Sequence, residues 1–342
     1  MKKYWLKKYW LIMLIFLPLV LIPYPVLSQN IFEQQPLNRP LRDIRNDADT
    51  LLRLGEQEER RGSLEKAIPF WLEALELYQS IRDEQAIGRT LELLGITYGN
   101  LGQLREAEAA LRSRIAIARD NRDFTGQIYG LNNLGIILIK RRGDTAAETV
   151  FVEALTLARS INSIPGQGLS LSNLGLLAFT TGNFDEAAKR YETALTFRRR
   201  GQDPLGEVNT LIGLADAYRG LNQYREAIIN YFDALDTSRI ARDIPNQFRV
   251  LAGMHSAYFA INQPELALQF LDQRMLLAQQ TNNTQQELSS LIAYGRFYGA
   301  TGDRLAARNY LERSIILAAS LGKTEQEAAL RNELAQLIFV RN

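Results

Sequence analysis

A period of 40 residues constrains the fold of this chain more than any other feature of its sequence. One position of the period holds leucine in every copy: Leu51, Leu91, Leu131, Leu171, Leu211, Leu251 and Leu291. Another position holds alanine in every copy: Ala67, Ala107, Ala147, Ala187, Ala227, Ala267 and Ala307. Repetition at one fixed spacing is typical of arrays in which each unit packs only against its neighbours. The sequence therefore predicts a repeat array rather than two ordinary globular domains.

Each period contains two segments with the spacing of an amphipathic helix, as the third copy illustrates. The first segment has apolar or small residues at i, i+3, i+4 and i+7: Leu131, Leu134, Gly135 and Leu138. The second segment carries a similar pattern: Ala147, Phe151, Ala154 and Leu155. Between them, Arg142-Gly143-Asp144 interrupts the periodicity with residues that favour turns. A turn this short predicts two antiparallel helices that pack against each other.

A small residue recurs four positions after the leucine, inside the first helix of most copies. The series reads Gly55, Gly95, Gly135, Gly175, Ala215, His255 and Gly295. Glycine inside a helix costs about 1 kcal/mol relative to alanine, so its recurrence indicates a close approach of two backbones. Gly95 lies about as far before the turn as Ala107 lies after it, and we expect these positions to face each other. His255, the only histidine of the chain, is interpreted as a packing substitution in this series.

The fourth copy carries residues that are typical of a known family. Small, apolar and aromatic residues stand there in a characteristic order: Asn173, Leu174, Gly175, Gly182, Phe184, Ala187, Tyr191, Ala194 and Leu195. This order resembles the tetratricopeptide repeat, and the 40-residue spacing resembles the subgroup found in kinesin light chains, Pins-type scaffolds and many bacterial arrays. The resemblance implies an all-α, right-handed superhelical solenoid of antiparallel helix pairs. It assigns seven repeats to residues 48–327 and a C-terminal capping helix to residues 328–342.

In that family the first helices line a concave groove that holds peptides, and the resemblance transfers this role to the matching positions. Those in repeats three and four are mostly apolar: Tyr129, Asn132, Ile136, Ile139, Leu169, Ser172, Leu176 and Phe179. Those in repeats five to seven are mostly polar or cationic: Asn209, Ile212, Asp216, Arg219, Arg249, Phe259 and Arg296. The groove is therefore expected to bind a peptide with apolar residues and acidic flanks. The alternative is that the apolar members pack against neighbouring helices.

Two asparagines stand two residues before the small glycine, Asn133 and Asn173. They match the asparagine with which repeats of the kinesin-light-chain type hold the backbone of a ligand. An amide offers both a donor and an acceptor, so it can pair with a peptide unit whatever side chains the ligand carries. The carboxylate clamp of chaperone-type repeats is not matched, because residues such as Glu92 and Ile96 replace its lysine and asparagine. We therefore do not expect that device to recognise a free C-terminal carboxylate.

The first 28 residues resemble a secretory signal peptide. Four lysines in the first eight residues precede an apolar run at residues 10–22, and Val26-Leu27-Ser28 would permit cleavage after Ser28. The run is shorter than the roughly 20 residues that a transmembrane helix needs. We therefore expect a signal peptide at residues 1–28, a linker at residues 29–47 and a periplasmic or extracellular body without membrane insertion. The alternative is a membrane anchor formed by residues 10–22, which leaves the body on the same side.

The chemical groups of the body argue against catalysis and nucleic-acid binding. Without the four leader lysines, 36 basic residues face 38 acidic ones, so no overall basic field is present. The chain has no cysteine and one histidine, and it contains no phosphate-binding loop or metalloprotease motif. Arginines recur near the ends of second helices, where a cation complements the helix dipole: Arg119, Arg159, Arg199 and Arg239. We expect no catalytic residue, cofactor or metal site.

These observations favour an exported, non-catalytic scaffold that binds a protein or peptide partner in its groove. The alternative is a sensory or regulatory module of a larger bacterial signalling or protease-associated system. Function follows from a site rather than from a fold, so the sequence does not name the partner. It also leaves self-association open.

Overall fold

The computed structural model describes residues 40–339 and folds them into fifteen α-helices. In chain order these are α1 Leu41–Arg60, α2 Leu64–Ser80, α3 Glu84–Asn100, α4 Leu104–Asp120, α5 Phe124–Lys140, α6 Asp144–Ser160, α7 Ile164–Thr180, α8 Phe184–Arg200, α9 Pro204–Gly220, α10 Tyr224–Ile240, α11 Ile244–Ala260, α12 Pro264–Gln280, α13 Thr284–Thr301, α14 Arg304–Ser320 and α15 Thr324–Phe339. The predicted signal peptide lies outside the described residues. No helix of the described range is both long and apolar enough to cross a bilayer.

The helices form seven stacked hairpins followed by α15. Consecutive helices contact each other along the chain, and each odd-numbered helix is the first helix of its repeat. First helices of adjacent repeats also contact each other, namely α3 with α5, α5 with α7, α7 with α9 and α9 with α11. This additional contact places the first helices on the inner, concave side of a right-handed solenoid, and the second helices on its outer side. The predicted fold class is confirmed.

Two of the predicted boundaries differ from the structure. The first helix begins at Leu41, inside the predicted linker of residues 29–47, directly after Pro40, which is its N-cap residue. The capping helix begins at Thr324 rather than at residue 328. It starts there because α14 is followed by the same short turn as the helices before it, with Gly322 in the left-handed conformation at φ 67°.

Most of the helices have 17 residues, because a three-residue turn with one residue of positive φ recurs between them. This residue returns every 20 positions, from Gly62 and Arg82 to Gly302 and Gly322. The amide after it donates to a carbonyl five residues back, as Gly143 does to Leu138, which is the hydrogen bond of a Schellman motif. In the predicted break Arg142-Gly143-Asp144, the left-handed residue is Arg142 at φ 58°, whereas Gly143 has φ −100°.

The glycine of the first helix faces a large side chain of the second helix rather than the recurrent alanine. A Cβ atom added at Gly135 would lie 2.2 Å from Cε1 of Phe151, and one added at Gly95 would lie 2.6 Å from Cγ of Leu111. The prediction that Gly95 faces Ala107 is therefore wrong. Ala107 lies near Gly99, whose added Cβ would lie 3.9 Å from the alanine Cβ. Side chains lean toward the N-terminus of their helix, so the residue that covers a given spot comes later in the sequence.

We predict that Gly175→Leu lowers the free energy of unfolding by about 1–3 kcal/mol or more, because overpacked side chains force their neighbours to move. An added Cβ at Gly175 already lies 3.0 Å from the Tyr191 ring, and the rest of the leucine must displace that ring. The measurement is urea unfolding followed by circular dichroism. Gly182→Asn is the matched control, because its added Cβ meets nothing within 4 Å and asparagine tolerates the left-handed conformation. Equal midpoints for Gly175→Leu and the parent protein would contradict the hairpin contact.

Candidate functional site

The apolar positions expected in the groove are only partly exposed. Tyr129 and Phe259 are 36% and 38% exposed. Ile136 and Ile139 are partly buried and pack against the core that surrounds Leu134. Leu176 and Phe179 are also partly buried, and the Phe179 ring lies 5.4 Å from the ring of Phe184. Packing against neighbouring helices therefore accounts for part of these apolar positions, which was the alternative interpretation of the sequence. The remaining exposed area lies on the concave side.

Two of the expected groove positions are buried, so their assignment to the groove surface is wrong. Ile212 is 2% exposed and belongs to the core of repeats five and six. Asn132 is 0% exposed, and its Nδ2 donates to the carbonyl of Ile128 at 2.8 Å and to Oγ of Ser170 at 2.9 Å. The physical reason is that this side of a first helix faces the first helix of the following repeat. Ser172 makes the same kind of contact with Thr210, at 3.0 Å.

Amide side chains connect the first helices along the concave side. Asn133 Nδ2 donates to Glu92 Oε1 at 3.0 Å, and Asn173 Nδ2 donates to Asn132 Oδ1 at 2.8 Å. Further along, Asn246 Nδ2 donates to Asn209 Oδ1 at 3.3 Å. Both predicted backbone-binding amides, Asn133 and Asn173, thus use one of their N–H groups inside the protein. Each still has a second N–H and a carbonyl oxygen with which to bind a ligand.

The three arginines predicted to bind acidic flanks have different environments. Arg219 Nη2 lies 3.2 Å from Asp216 Oδ1, so its charge is already paired. Arg296 makes two hydrogen bonds of 3.0 Å with the carboxylate of Glu333 in α15. Arg249 is exposed and donates only to the neutral side chains of Asn209, at 3.1 Å, and Asn246, at 2.8 Å. Among the described residues, Arg249 is therefore the one of these three arginines without a carboxylate partner.

A pocket of about 400 Å³ lies on the concave side of repeats four to six. Its lining comes from α7, α8, α9 and α11: Leu169, Ser172, Asn173, Leu176, Phe179, Tyr191, Arg198, Gly206, Asn209, Gly213, Asp216 and Arg249. The sequence-based selection missed Tyr191, Arg198, Gly206 and Gly213, because it considered only four offsets on the first helices. Apolar walls, amides and an unpaired cation thus surround one cavity, which can accept a side chain together with hydrogen-bonding or anionic groups.

A larger cavity of about 720 Å³ between repeats one and two has a different character. Arginines on its lining pair with carboxylates, as Arg114 does with Asp123 at 3.0 Å and Arg89 with Glu56 at 2.6 Å. The hydroxyl of Tyr78 likewise donates to Asp49 at 2.6 Å. The charges of these arginines are paired within the protein, although the buried Nε of Arg114 makes no hydrogen bond. The cavity therefore offers an anionic ligand less than the pocket of repeats four to six does, where Arg249 has no carboxylate partner.

His255 lies in an aromatic cluster of repeats six and seven. Its Nδ1 is 2.9 Å from the carbonyl oxygen of Ala267, and its ring centroid is 6.5 Å from that of Phe259 and 5.9 Å from that of Phe297. Burial is the main cause that lowers the pKa of His255, and the charge of Arg274 acts in the same direction. These contacts agree with the interpretation of His255 as a packing residue. No group of three or more potential metal ligands occurs within residues 40–339.

The fold and the concave site define a helical-repeat scaffold. Residues 46–120, 127–200 and 167–239 match the model of the tetratricopeptide repeat. These segments cover more than half of the chain, so the chain belongs to the tetratricopeptide repeat family. No curated protein matches its sequence.

Several solved structures share this fold. The apo form of RapI is 15% identical with a TM-score of 0.60, and the match covers 81% of this chain and 99% of RapI. A Rap protein complexed with Competence and Sporulation Factor is 15% identical with a TM-score of 0.59, covering 87% of this chain and 78% of that protein. A signal-transduction ATPase with a tetratricopeptide repeat sensor, from Pyrococcus horikoshii, is 19% identical with a TM-score of 0.61. That match covers 85% of this chain and 45% of the ATPase.

We predict that His255 titrates below its ordinary value of 6.5, because the protein buries its ring. A lowered pKa in the folded state means that protonation disfavours folding. The contribution of His255 to stability is therefore complete above pH 6.5 and is lost as the pH falls toward the folded-state value. The chain has a single histidine, so its imidazole NMR signal needs no assignment.

The matched variant is His255→Ala, since repeat five carries Ala215 at the same position. Between pH 7.5 and 5.5, the free energy of unfolding should fall more for the parent protein than for this variant. A titration midpoint at or above 6.5, or an equal fall in both proteins, would contradict the burial of a neutral imidazole.

Proposed function

We propose that this protein is an exported, non-catalytic scaffold whose concave groove binds a segment of another polypeptide. The observation that carries the proposal is the pocket of repeats four to six. It combines apolar walls from Leu169, Leu176 and Phe179 with the amide of Asn173 and the guanidinium of Arg249. This combination suits a peptide, because a peptide presents apolar side chains, backbone amides and charges at close spacing.

The contacts between first helices favour binding without a large rearrangement. Asn132 with Ser170, Ser172 with Thr210, and Asn246 with Asn209 form hydrogen bonds across three successive helix junctions. A surface that is ordered before binding loses little conformational entropy when the ligand arrives. The ligand then supplies the flexible partner, as expected for an extended segment rather than a folded domain.

Charge within the groove gives the peptide a preferred composition. Because Asp216 neutralises Arg219 and Glu333 neutralises Arg296, the attraction for acidic residues falls mainly on Arg249. Acidic residues of the peptide are therefore expected beside repeats five and six. Apolar residues are expected beside repeats three and four, where Tyr129 and Phe179 line the concave side.

A sensory or regulatory module is the second candidate function. It is favoured by the likeness in fold to the ATPase whose tetratricopeptide repeats are described as a sensor. In that role the groove would bind a signal molecule, and a separate effector protein would bind the array in response. A stoichiometric effector protein that copurifies only in the presence of a small signal molecule would favour this candidate over the scaffold.

For the location, we predict a mature protein that begins close to Gln29, because the leader has the composition of a secretory signal peptide. The measurement is N-terminal sequencing of the protein purified from the cell envelope and from the medium. An intact Met1 on protein from a cytosolic fraction would contradict export. An intact Met1 on membrane-bound protein would instead support the anchor formed by residues 10–22.

For the groove, we predict that Asn173→Ala combined with Arg249→Glu weakens partner binding at least tenfold. The first change removes an amide of the pocket, and the second reverses its unpaired charge. The measurement is affinity capture from envelope extract with the mature protein, identification by mass spectrometry, and titration of the main partner. Reversing the charge should also reduce the salt dependence of binding.

The control is Arg239→Glu, which makes the same charge change on a second helix, where the arginine side chain is 54% exposed. Both variants should keep the helical circular dichroism of the parent. Groove binding is refuted if the pocket variant folds and binds the captured partner as tightly as the parent. If Arg239→Glu alone weakens binding, the binding site lies on the convex face.

A further inference from the structure

We propose that the pocket of repeats four to six contains a carboxylate subsite formed by the hydroxyl of Tyr191 and the guanidinium of Arg249. The subsite selects peptides in which an aspartate or glutamate neighbours a large apolar residue. This inference rests on the proposed peptide-binding function and specifies the ligand of the same groove.

The first observation is a tyrosine hydroxyl that lines the pocket and has no hydrogen-bond partner among residues 40–339. Tyr191 lies on the second helix α8 and is 4% exposed, yet it lines the concave pocket. Its hydroxyl makes no hydrogen bond with any residue of the described range, 40–339. The hydroxyl oxygen is not among the fully buried side-chain atoms that lack a hydrogen bond, so solvent reaches it through the pocket. A ligand in the pocket can therefore replace water as its hydrogen-bond partner.

A glycine allows the Tyr191 side chain to reach the concave pocket from the outer helix. A Cβ atom added at Gly213 of α9 would lie 2.5 Å from Cζ and 2.9 Å from the hydroxyl oxygen of Tyr191. Any other residue at position 213 would displace the end of the ring. The ring also packs against Gly175 of its own hairpin, which fixes its direction.

The next repeat contains the same arrangement with an internal acceptor. Tyr231 stands 40 residues after Tyr191, and an added Cβ at Gly253 would lie 2.3 Å from its Cζ. The hydroxyl of Tyr231 donates to Asp216 Oδ1 at 2.5 Å. The residue that corresponds to Asp216 in repeat four is Leu176, which cannot accept a hydrogen bond. The hydroxyl of Tyr231 thus has a carboxylate acceptor in repeat five. The equivalent hydroxyl of Tyr191 in repeat four has none among the described residues and can bind a ligand.

The charges around the pocket favour an anionic acceptor over a neutral one. Arg249 lines the pocket with only neutral partners among the described residues. Arg198 also lines it and is 8% exposed, and its Nε makes no hydrogen bond while its Nη1 bonds to Asp203. The acidic lining residue, Asp216, is already bound by Arg219 and Tyr231.

Burial raises the pKa of the Tyr191 hydroxyl above its ordinary value, so this group is a neutral donor. A hydroxyl donor and a guanidinium at one site provide charge-assisted hydrogen bonds to a carboxylate. Leu169, Leu176 and Phe179 form the apolar wall of the same pocket, which accounts for the apolar neighbour of the acidic residue.

The test uses three pools of blocked hexapeptides on the immobilised mature protein. The pools are acetyl-X-X-Glu-Leu-X-X-amide and the corresponding pools with glutamine or lysine in place of glutamate, where X is an equal mixture of amino acids. The blocked ends remove any free terminal carboxylate. We expect the glutamate pool to be retained at least fivefold more than the glutamine pool, and the lysine pool least of all.

Tyr191→Phe keeps the ring and removes only the hydroxyl, so it should reduce the preference for glutamate over glutamine to less than twofold. The matched control is Tyr78→Phe, which removes a buried hydroxyl that donates to Asp49 in repeat one. This control should keep the full preference. If Tyr191→Phe also keeps the full preference, the subsite is overturned.

A second measurement tests the unpartnered hydroxyl without any ligand. Tyr191→Phe breaks no hydrogen bond within the protein, so its urea unfolding midpoint should equal or exceed that of the parent. Tyr231→Phe breaks the bond to Asp216, so its midpoint should be lower. A midpoint that falls as much for Tyr191→Phe as for Tyr231→Phe would overturn the inference, because the hydroxyl would then have an internal partner.

The outcomes separate this inference from the proposed function. Equal retention of the glutamate and glutamine pools, with both lost in Asn173→Ala, overturns the carboxylate subsite and leaves peptide binding in the groove intact. Retention of no pool overturns the subsite as well, and the groove is then judged by the captured partner. The double variant Asn173→Ala, Arg249→Glu provides the third outcome. If it captures the partner as well as the parent does, both the carboxylate subsite and peptide binding in the groove are overturned.

Discussion

In five of the seven repeats, a first-helix glycine contacts a large side chain of the second helix, and this contact sets how the hairpin packs. The side chain presses on bare backbone, so the two helices of a hairpin approach more closely than side chains on both would allow. In repeat four the same side chain, Tyr191, also contacts Gly213 of the following repeat. One residue thereby joins the packing within a hairpin to the stacking between hairpins. Because the array is quasi-one-dimensional, such junctions hold neighbouring repeats together.

Most of this architecture could be predicted from the sequence because it depends on spacing alone. The recurrence of Leu51 and its equivalents fixes the period, and the breaks near Gly102 and Gly182 mark the turns. The partner of each glycine could not be predicted, because it depends on the direction in which side chains lean. Gly135 therefore meets Phe151 rather than Ala147. The start of α1 could not be predicted because none of residues 41–47 is buried, so they show no apolar periodicity.

The site was predictable to the extent that it lies on first helices. Leu169, Leu176 and Phe179 do line one pocket, together with Asn173 and Arg249. Asn132 was misplaced because its offset points to the next first helix, where it meets Ser170. The part played by Tyr191 depends on three helices at once. The sequence does contain a signal for it. Tyr191 and Tyr231 occupy the same position of their repeats, and each is followed 22 residues later by a glycine, Gly213 or Gly253.

The concave surface satisfies most of its polar groups before any ligand arrives. Amides and hydroxyls bond across the junctions, as Asn173 does with Asn132, and Arg296 is held by Glu333. A ligand gains little by competing for these groups, because each new hydrogen bond would replace an existing one. Selectivity therefore falls on the few groups that lack an adequate internal partner, the hydroxyl of Tyr191 and the charge of Arg249. A regular repeat array can thus present one distinctive site, because repeat four has Leu176 where repeat five has Asp216, and the hydroxyl of Tyr191 therefore lacks the internal acceptor that Tyr231 has.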